Sequence, residues 1–128
     1  MRRFEFAFDD RYLPMLAAFG VTRGRAHVEV DEDLRVRFGL FSLSTPVSNV
    51  RALELTGPYR WYRAIGIRMS LADRGLTFGT TVAGGVCLLF RDPVAGIGPF
   101  RLVRHPGLTL TVADPPGFAA HMRERAGL

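Results

Sequence analysis

The sequence predicts a mainly β fold: a small antiparallel barrel or sandwich of about six to seven strands, closed by a C-terminal α-helix and preceded by a short N-terminal helix. Three observations carry this expectation. Apolar and polar residues alternate over most of the 128 residues, which is the period of half-buried strands rather than of helices. Glycine-bearing turn signals separate the alternating runs. Only two segments depart from that period, and the C-terminal one runs from a capping aspartate, Asp114, to a terminal glycine, Gly127.

Taken in order, DDRYLPMLAAFG (residues 9–20) fits a short helix begun by Asp9 and Asp10 and stopped by Gly20, with Pro14 weakening its early turns. The clearest strand is DLRVRFGLF, where Leu34, Val36, Phe38 and Leu40 fall on one face while Arg35 and Arg37 fall on the other. Val28 and Val30 repeat the pattern upstream, and DED (residues 31–33) supplies the polar turn of a first hairpin. Further strands are expected at residues 41–45, 50–55, 67–72, 76–81, 86–91 and 108–113. ADRG (residues 72–75) and AGG (residues 83–85) carry the glycines that hairpin turns require. In the last segment Asp114 caps a helix, Pro115 or Pro116 suits its first turn, and Phe118, Ala119 and Met122 share one face. Arg123 and Arg125 lie where cations suit the helix dipole.

The length fits one domain spanning residues 1–128, with a helical extension over residues 1–22. A chain this long buries roughly two thirds of the surface it exposes when unfolded. Cys87, the single cysteine, forms no internal bridge and reads in GVCLLF as a small apolar core residue, so a reducing, cytoplasmic compartment is expected. MRRFEFAFDD breaks any secretion signal with Glu5 and Asp9. The longest apolar run, residues 82–90, is short of the ~20 residues of a membrane helix, and a soluble protein is expected. The net charge of +5 comes entirely from arginine, since lysine is absent. Arginine favours anionic partners, but a coding bias toward arginine, alanine, glycine and proline accounts for the composition more simply.

The stretches FDDRYLPMLAAFGVT, RVRFGLFSLSTPVSNV, TGPYRWYRAIG, LADRGLTFGT, GVCLLFRDPVAGI and RHPGLTLTVADP together resemble a group of short, functionally uncharacterised actinobacterial proteins with a pleckstrin-homology-like fold. The resemblance covers nearly the whole chain and implies that fold, but it brings no activity, because folds host many functions. Phosphoinositide-binding members of the pleckstrin-homology class use basic residues around the loop joining their first two strands. Here that loop is DED, residues 31–33, whose carboxylates repel a phosphorylated headgroup, so classical phosphoinositide binding is not expected.

The candidate binding residues are Tyr59, Arg60, Trp61, Tyr62 and Arg63, which follow a Gly-Pro break in TGPYRWYRAIGIR. In an extended chain Tyr59, Trp61 and Arg63 point one way, Arg60 and Tyr62 the other. Either the rings plug an end of the core, or they form a docking surface of the residue types enriched at binding hot spots. The three histidines, His27, His105 and His121, form no metal pattern: His27 lies on a strand, His105 in an RHPG turn and His121 on the polar side of the last helix. Asp73 reads as a turn former, and AGIGPF (residues 95–100) as a long loop with no helix behind it to bind a phosphate. No cofactor is expected. The functional expectation is a non-enzymatic interaction domain that binds a protein partner or itself. The alternatives are a nucleic-acid or anionic-ligand module using Arg23, Arg25, Arg35 and Arg37, and a small enzyme with an unrecognised pocket.

Overall fold

A computed structural model describes residues 2–18, 20–59, 65–69, 75–95 and 104–128. Strands β1 (Arg2–Glu5), β2 (Ala26–Val30), β3 (Asp33–Phe38) and β4 (Phe41–Pro46) form a four-stranded antiparallel sheet in that order. Strands β5 (Val50–Thr56), β6 (Gly66–Met69), β7 (Leu76–Gly79), β8 (Gly85–Ala95) and β9 (Arg104–Leu110) form a five-stranded sheet ordered β5-β8-β9-β7-β6. Helices α1 (Leu13–Ala18) and α2 (Pro115–Ala126) lie near the two ends of the chain.

The β2–β3 hairpin forms where the alternation is cleanest, with Val28 opposite Val36 and Val30 opposite Leu34. Its turn is fixed by the Asp31 side chain, which accepts from the Asp33 backbone at 2.9 Å and from Arg35 at 2.6 Å. The β3–β4 turn begins at Gly39, whose φ of 65° favours a residue without a Cβ. That turn corrects the expectation for Leu40: it leaves the strand before its face is decided, and it is 73% exposed while Phe38 is fully buried. In α2 the Asp114 carboxylate accepts from Gly117 N–H, and Gly127 at φ 74° returns its N–H to the Arg123 and Glu124 carbonyls.

The expected closed antiparallel barrel or sandwich of six to seven strands is corrected by this topology. Both sheets are open, nine strands are found among the described residues, and β9 runs parallel to β7 with Leu76 opposite Leu108 and Phe78 opposite Leu110. The architecture is mixed α/β rather than a β-barrel. One reason is that β9 inserts between β8 and β7, so the AGG turn (residues 83–85) links strands that are not neighbours instead of closing a hairpin. Another is that β1, at the head of the chain, adds an edge to the first sheet.

The two sheets nevertheless share one apolar core. Phe38 of β3 stacks on Phe78 of β7 at 4.9 Å, Phe6 packs against Phe38 at 5.1 Å, and Phe118 of α2 meets Phe4 of β1 edge-on at 5.0 Å. Just past β1 the chain crosses from one sheet to the other. Phe6 bridges Val112, Ala7 N–H donates to the Thr111 carbonyl at 2.9 Å, and Ala113 N–H donates to the Glu5 carbonyl at 2.8 Å. Thr80 and Thr111, both fully buried, complete the crossing: Thr80 N–H donates to Thr111 Oγ1 at 2.8 Å, and Thr80 Oγ1 donates to the Ala7 carbonyl.

Thr111→Val keeps the shape of this junction and leaves the Thr80 N–H without its acceptor, so urea denaturation is expected to show a loss of about 1–3 kcal/mol. Phe78→Ala removes the ring that both sheets share, and about 3–5 kcal/mol is expected by the same measurement. The hairpin turn adds a pH dependence. The Arg35 hydrogen bond, and then the Asp33 N–H, hold the Asp31 carboxyl below its ordinary value. A depressed folded pKa gives stability that is full above the unfolded pKa of about 4 and lost as pH falls through the folded value. Asp31→Asn should therefore melt below the parent protein at pH 7, with the difference closing at about pH 2.

Candidate functional site

Tyr59 is positioned by a close approach of two chain segments. At Gly57, φ is 113°, and a Cβ there would lie 2.5 Å from the Gly84 Cα, so only glycine lets residues 57–59 pass beside residues 82–84. The Tyr59 N–H then donates to the Val82 carbonyl at 2.8 Å, and the phenol shares a hydrogen bond with the Thr56 hydroxyl. Burial pushes the Tyr59 phenol above its ordinary pKa; the Thr56 hydrogen bond opposes this shift and the nearby Cys87 thiol adds to it. Tyr59 thus lies beside the end of β5, close to Cys87 of β8. Of the other expected binding residues, Arg60, Trp61, Tyr62 and Arg63 lie outside the described residues, as does Asp73.

The neighbourhood of Tyr59 is the outer face of the five-stranded sheet. Strand pairing fixes which residues share it: Glu54 lies opposite Cys87, Cys87 opposite Thr109 and Thr109 opposite Thr77, with Ala52 opposite Leu89 in the next row. The alternate residues Val86, Leu88, Phe90, Leu108, Leu110 and Phe78 point into the core. Cys87 is therefore half-buried on the outer face rather than in the core, a correction to its expected place. Helix α2 is on the other side of the sheet, with Phe118 and Met122 in the core.

The outer face of the four-stranded sheet has the opposite character. It carries Arg3, Glu5, His27, Glu29, Arg35 and Arg37, because these alternate with buried Phe4, Val28, Leu34, Val36 and Phe38. The charges are paired across short distances, Arg3 with Glu5 at 2.9 Å and Arg35 with Asp31 at 2.6 Å, and the His27 Nε2 lies 3.1 Å from the Glu29 carboxylate. Among the arginines considered for nucleic acid, Arg35 is thus occupied, and Arg23 reaches Asp10 at 3.1 Å.

The other sequence candidates fall in separate places. His105 is not in a turn: it belongs to β9, fully buried opposite Val94, because β9 begins at Arg104. His121 faces the Phe4 ring at 5.6 Å, and burial, then Arg2, push its pKa below the ordinary value. Among the described residues no three His, Cys, Asp or Glu side chains are grouped to hold a metal ion, and no helix is long and apolar enough to cross a membrane. No family model, curated protein or solved structure matches the chain.

Spectroscopic titration of the phenols tests the placement of Tyr59. The parent protein is expected to show a component ionising above the ordinary value of about 10, and Tyr59→Phe to remove that component.

Proposed function

We propose that the chain is a protein-interaction domain that self-associates through the outer face of its five-stranded sheet. One observation carries this reading: the two outer faces differ sharply in charge. At the centre of the five-stranded sheet the outward residues are Ala52, Cys87, Leu89, Thr109 and Thr77, with charged residues at the margins, Glu54 on β5, Arg68 opposite Thr77 on β6 and Arg91 beyond Leu89 on β8, whereas the four-stranded sheet carries six ionisable residues across its outer face. A solvated face is ordinarily kept charged, and depletion of charge marks the centre of an interface. A second copy suits the face, since two such surfaces can meet over the uncharged centre formed by Cys87, Leu89, Thr109 and Thr77 with the charged residues left at the rim. Tyr59 stands beside the patch, which ties it to the aromatic segment singled out in the sequence. The lone cysteine on this face fits a reducing, cytoplasmic setting.

Sedimentation velocity and native mass spectrometry decide the matter. The parent protein is expected to dimerise at micromolar concentration, and Leu89→Arg or Thr109→Arg to weaken the dimer more than about tenfold by placing an unpaired charge in the contact. A parent that stays monomeric, or variants that dimerise as tightly as the parent, would overturn the reading.

A further inference from the structure

A second surface, remote from that face in composition, is the groove where the open edge of the first sheet approaches the outer arm of β8. It has a volume of about 540 Å³ and is lined by Ser44, Ser48, Asn49, Arg91, Asp92 and Arg104, among others. That volume falls within the roughly 300–1,000 Å³ of small-molecule sites.

Beside the groove, β8 shifts its register against β9. Between Leu89 and Val94 the register with β9 breaks, and pairing resumes with Val94 opposite His105 and Ala95 opposite Arg104. On the β5 side of β8, just before Val50 pairs with Phe90, Asn49 clamps this segment. Its Oδ1 accepts from the Asp92 N–H at 2.9 Å, and its Nδ2 donates to the Asp92 carbonyl at 3.0 Å and to Thr45 Oγ1 at 3.0 Å. The side-chain amide thus reproduces a backbone pairing and fixes the segment of β8 that forms the groove wall.

Two guanidiniums border this wall. Arg91 is exposed and is anchored by its Nε, which donates to the Ser48 carbonyl at 3.1 Å. Arg104 is exposed at the start of β9. Among the described residues neither is paired with a carboxylate, although Arg3, Arg11, Arg23 and Arg35 all are. Asp92 is the one carboxylate in the lining, so the groove keeps an excess of one positive charge, and the Ser44 and Ser48 hydroxyls add neutral donors. Planar guanidinium forks are the groups that best match the oxygens of phosphate and carboxylate.

We propose that this groove binds the oxyanion group of a small molecule, a phosphate or a carboxylate, through the guanidiniums of Arg91 and Arg104. Asn49 is a positioning residue that fixes Asp92 and hence the groove wall. The proposal is independent of self-association: both surfaces involve the five-stranded sheet, but the groove lies at its end and shares no residue with the uncharged centre of the outer face.

Titration of the full chain with inorganic phosphate, and separately with acetate, followed by amide chemical shifts, tests it. Saturable shifts at Ser48, Asn49, Asp92 and Arg104 are expected with at least one anion, and which anion saturates first identifies the oxyanion class. Arg91→Gln and Arg104→Gln, both at exposed positions, are each expected to weaken binding about tenfold with unchanged melting temperature. Asn49→Ala should weaken binding and shift the Asp92 amide even without anion. Linear, unsaturated shifts with both anions, or saturable binding that survives in the Arg91→Gln/Arg104→Gln double variant, would overturn the assignment.

Discussion

Everything in this molecule depends on how two open sheets are held against each other. Neither sheet closes on itself, so the core between them relies on the place where the chain crosses over just after β1. There the backbone of residues 5–7 pairs with residues 111–113. Thr80 and Thr111 satisfy each other and the Ala7 carbonyl in a region with no access to water. Buried polar groups of this kind stabilise only when every member is paired, because a lone one costs about as much as a good hydrogen bond contributes. The same junction brings Phe6 onto Phe38 and lets Phe38 lie flat on Phe78, so hydrogen bonding and ring stacking specify one mutual arrangement.

That arrangement decides what the outside of each sheet can do. With apolar residues of both sheets in one core, strand alternation forces the remaining side chains outward, and the sequence fills the two outward faces differently. The first sheet spends its outward positions on Arg–Glu and Arg–Asp pairs, which suit a solvated surface and oppose edge-to-edge contacts. The second carries threonine, alanine, leucine and cysteine at its centre and the charged residues Glu54 and Arg68 on its two edge strands. Where β8 breaks from β9 a third environment appears, polar and mildly cationic, held by a single asparagine. A self-contact and a small anion thus find separate places on one core.

Much of the local structure was legible in the residues. Leu34, Val36 and Phe38 announce a one-sided strand, DED a tight turn, and Asp114 with Gly127 the two ends of a helix, because each of these signals acts within a few residues. The open, mixed topology was not legible. It depends on β9 inserting between β8 and β7, antiparallel to the first and parallel to the second, and the parallel pairing joins residues some thirty apart that no local pattern encodes. Leu40 misleads because alternation continues through Gly39, where the chain turns. His105 misleads because a Pro-Gly pair suggests a turn, yet β9 carries both residues within a strand. Tyr59 was picked out by its aromatic and arginine neighbours. The flat face beside it was invisible, since Ala52, Thr77, Leu89 and Thr109 come from four strands. The Asn49 clip spans 43 residues and leaves no local trace.

Amide hydrogen exchange measured residue by residue tests most directly whether the crossing holds the fold together. The N–H groups of Ala7, Thr80 and Ala113 should exchange only through global unfolding, as slowly as those in the centre of β8 and β9, despite lying near the ends of their strands. Exchange of these three amides at the rate of the β2–β3 hairpin, with the strand centres still protected, would show that the junction opens on its own and that the two sheets are held by ring packing alone.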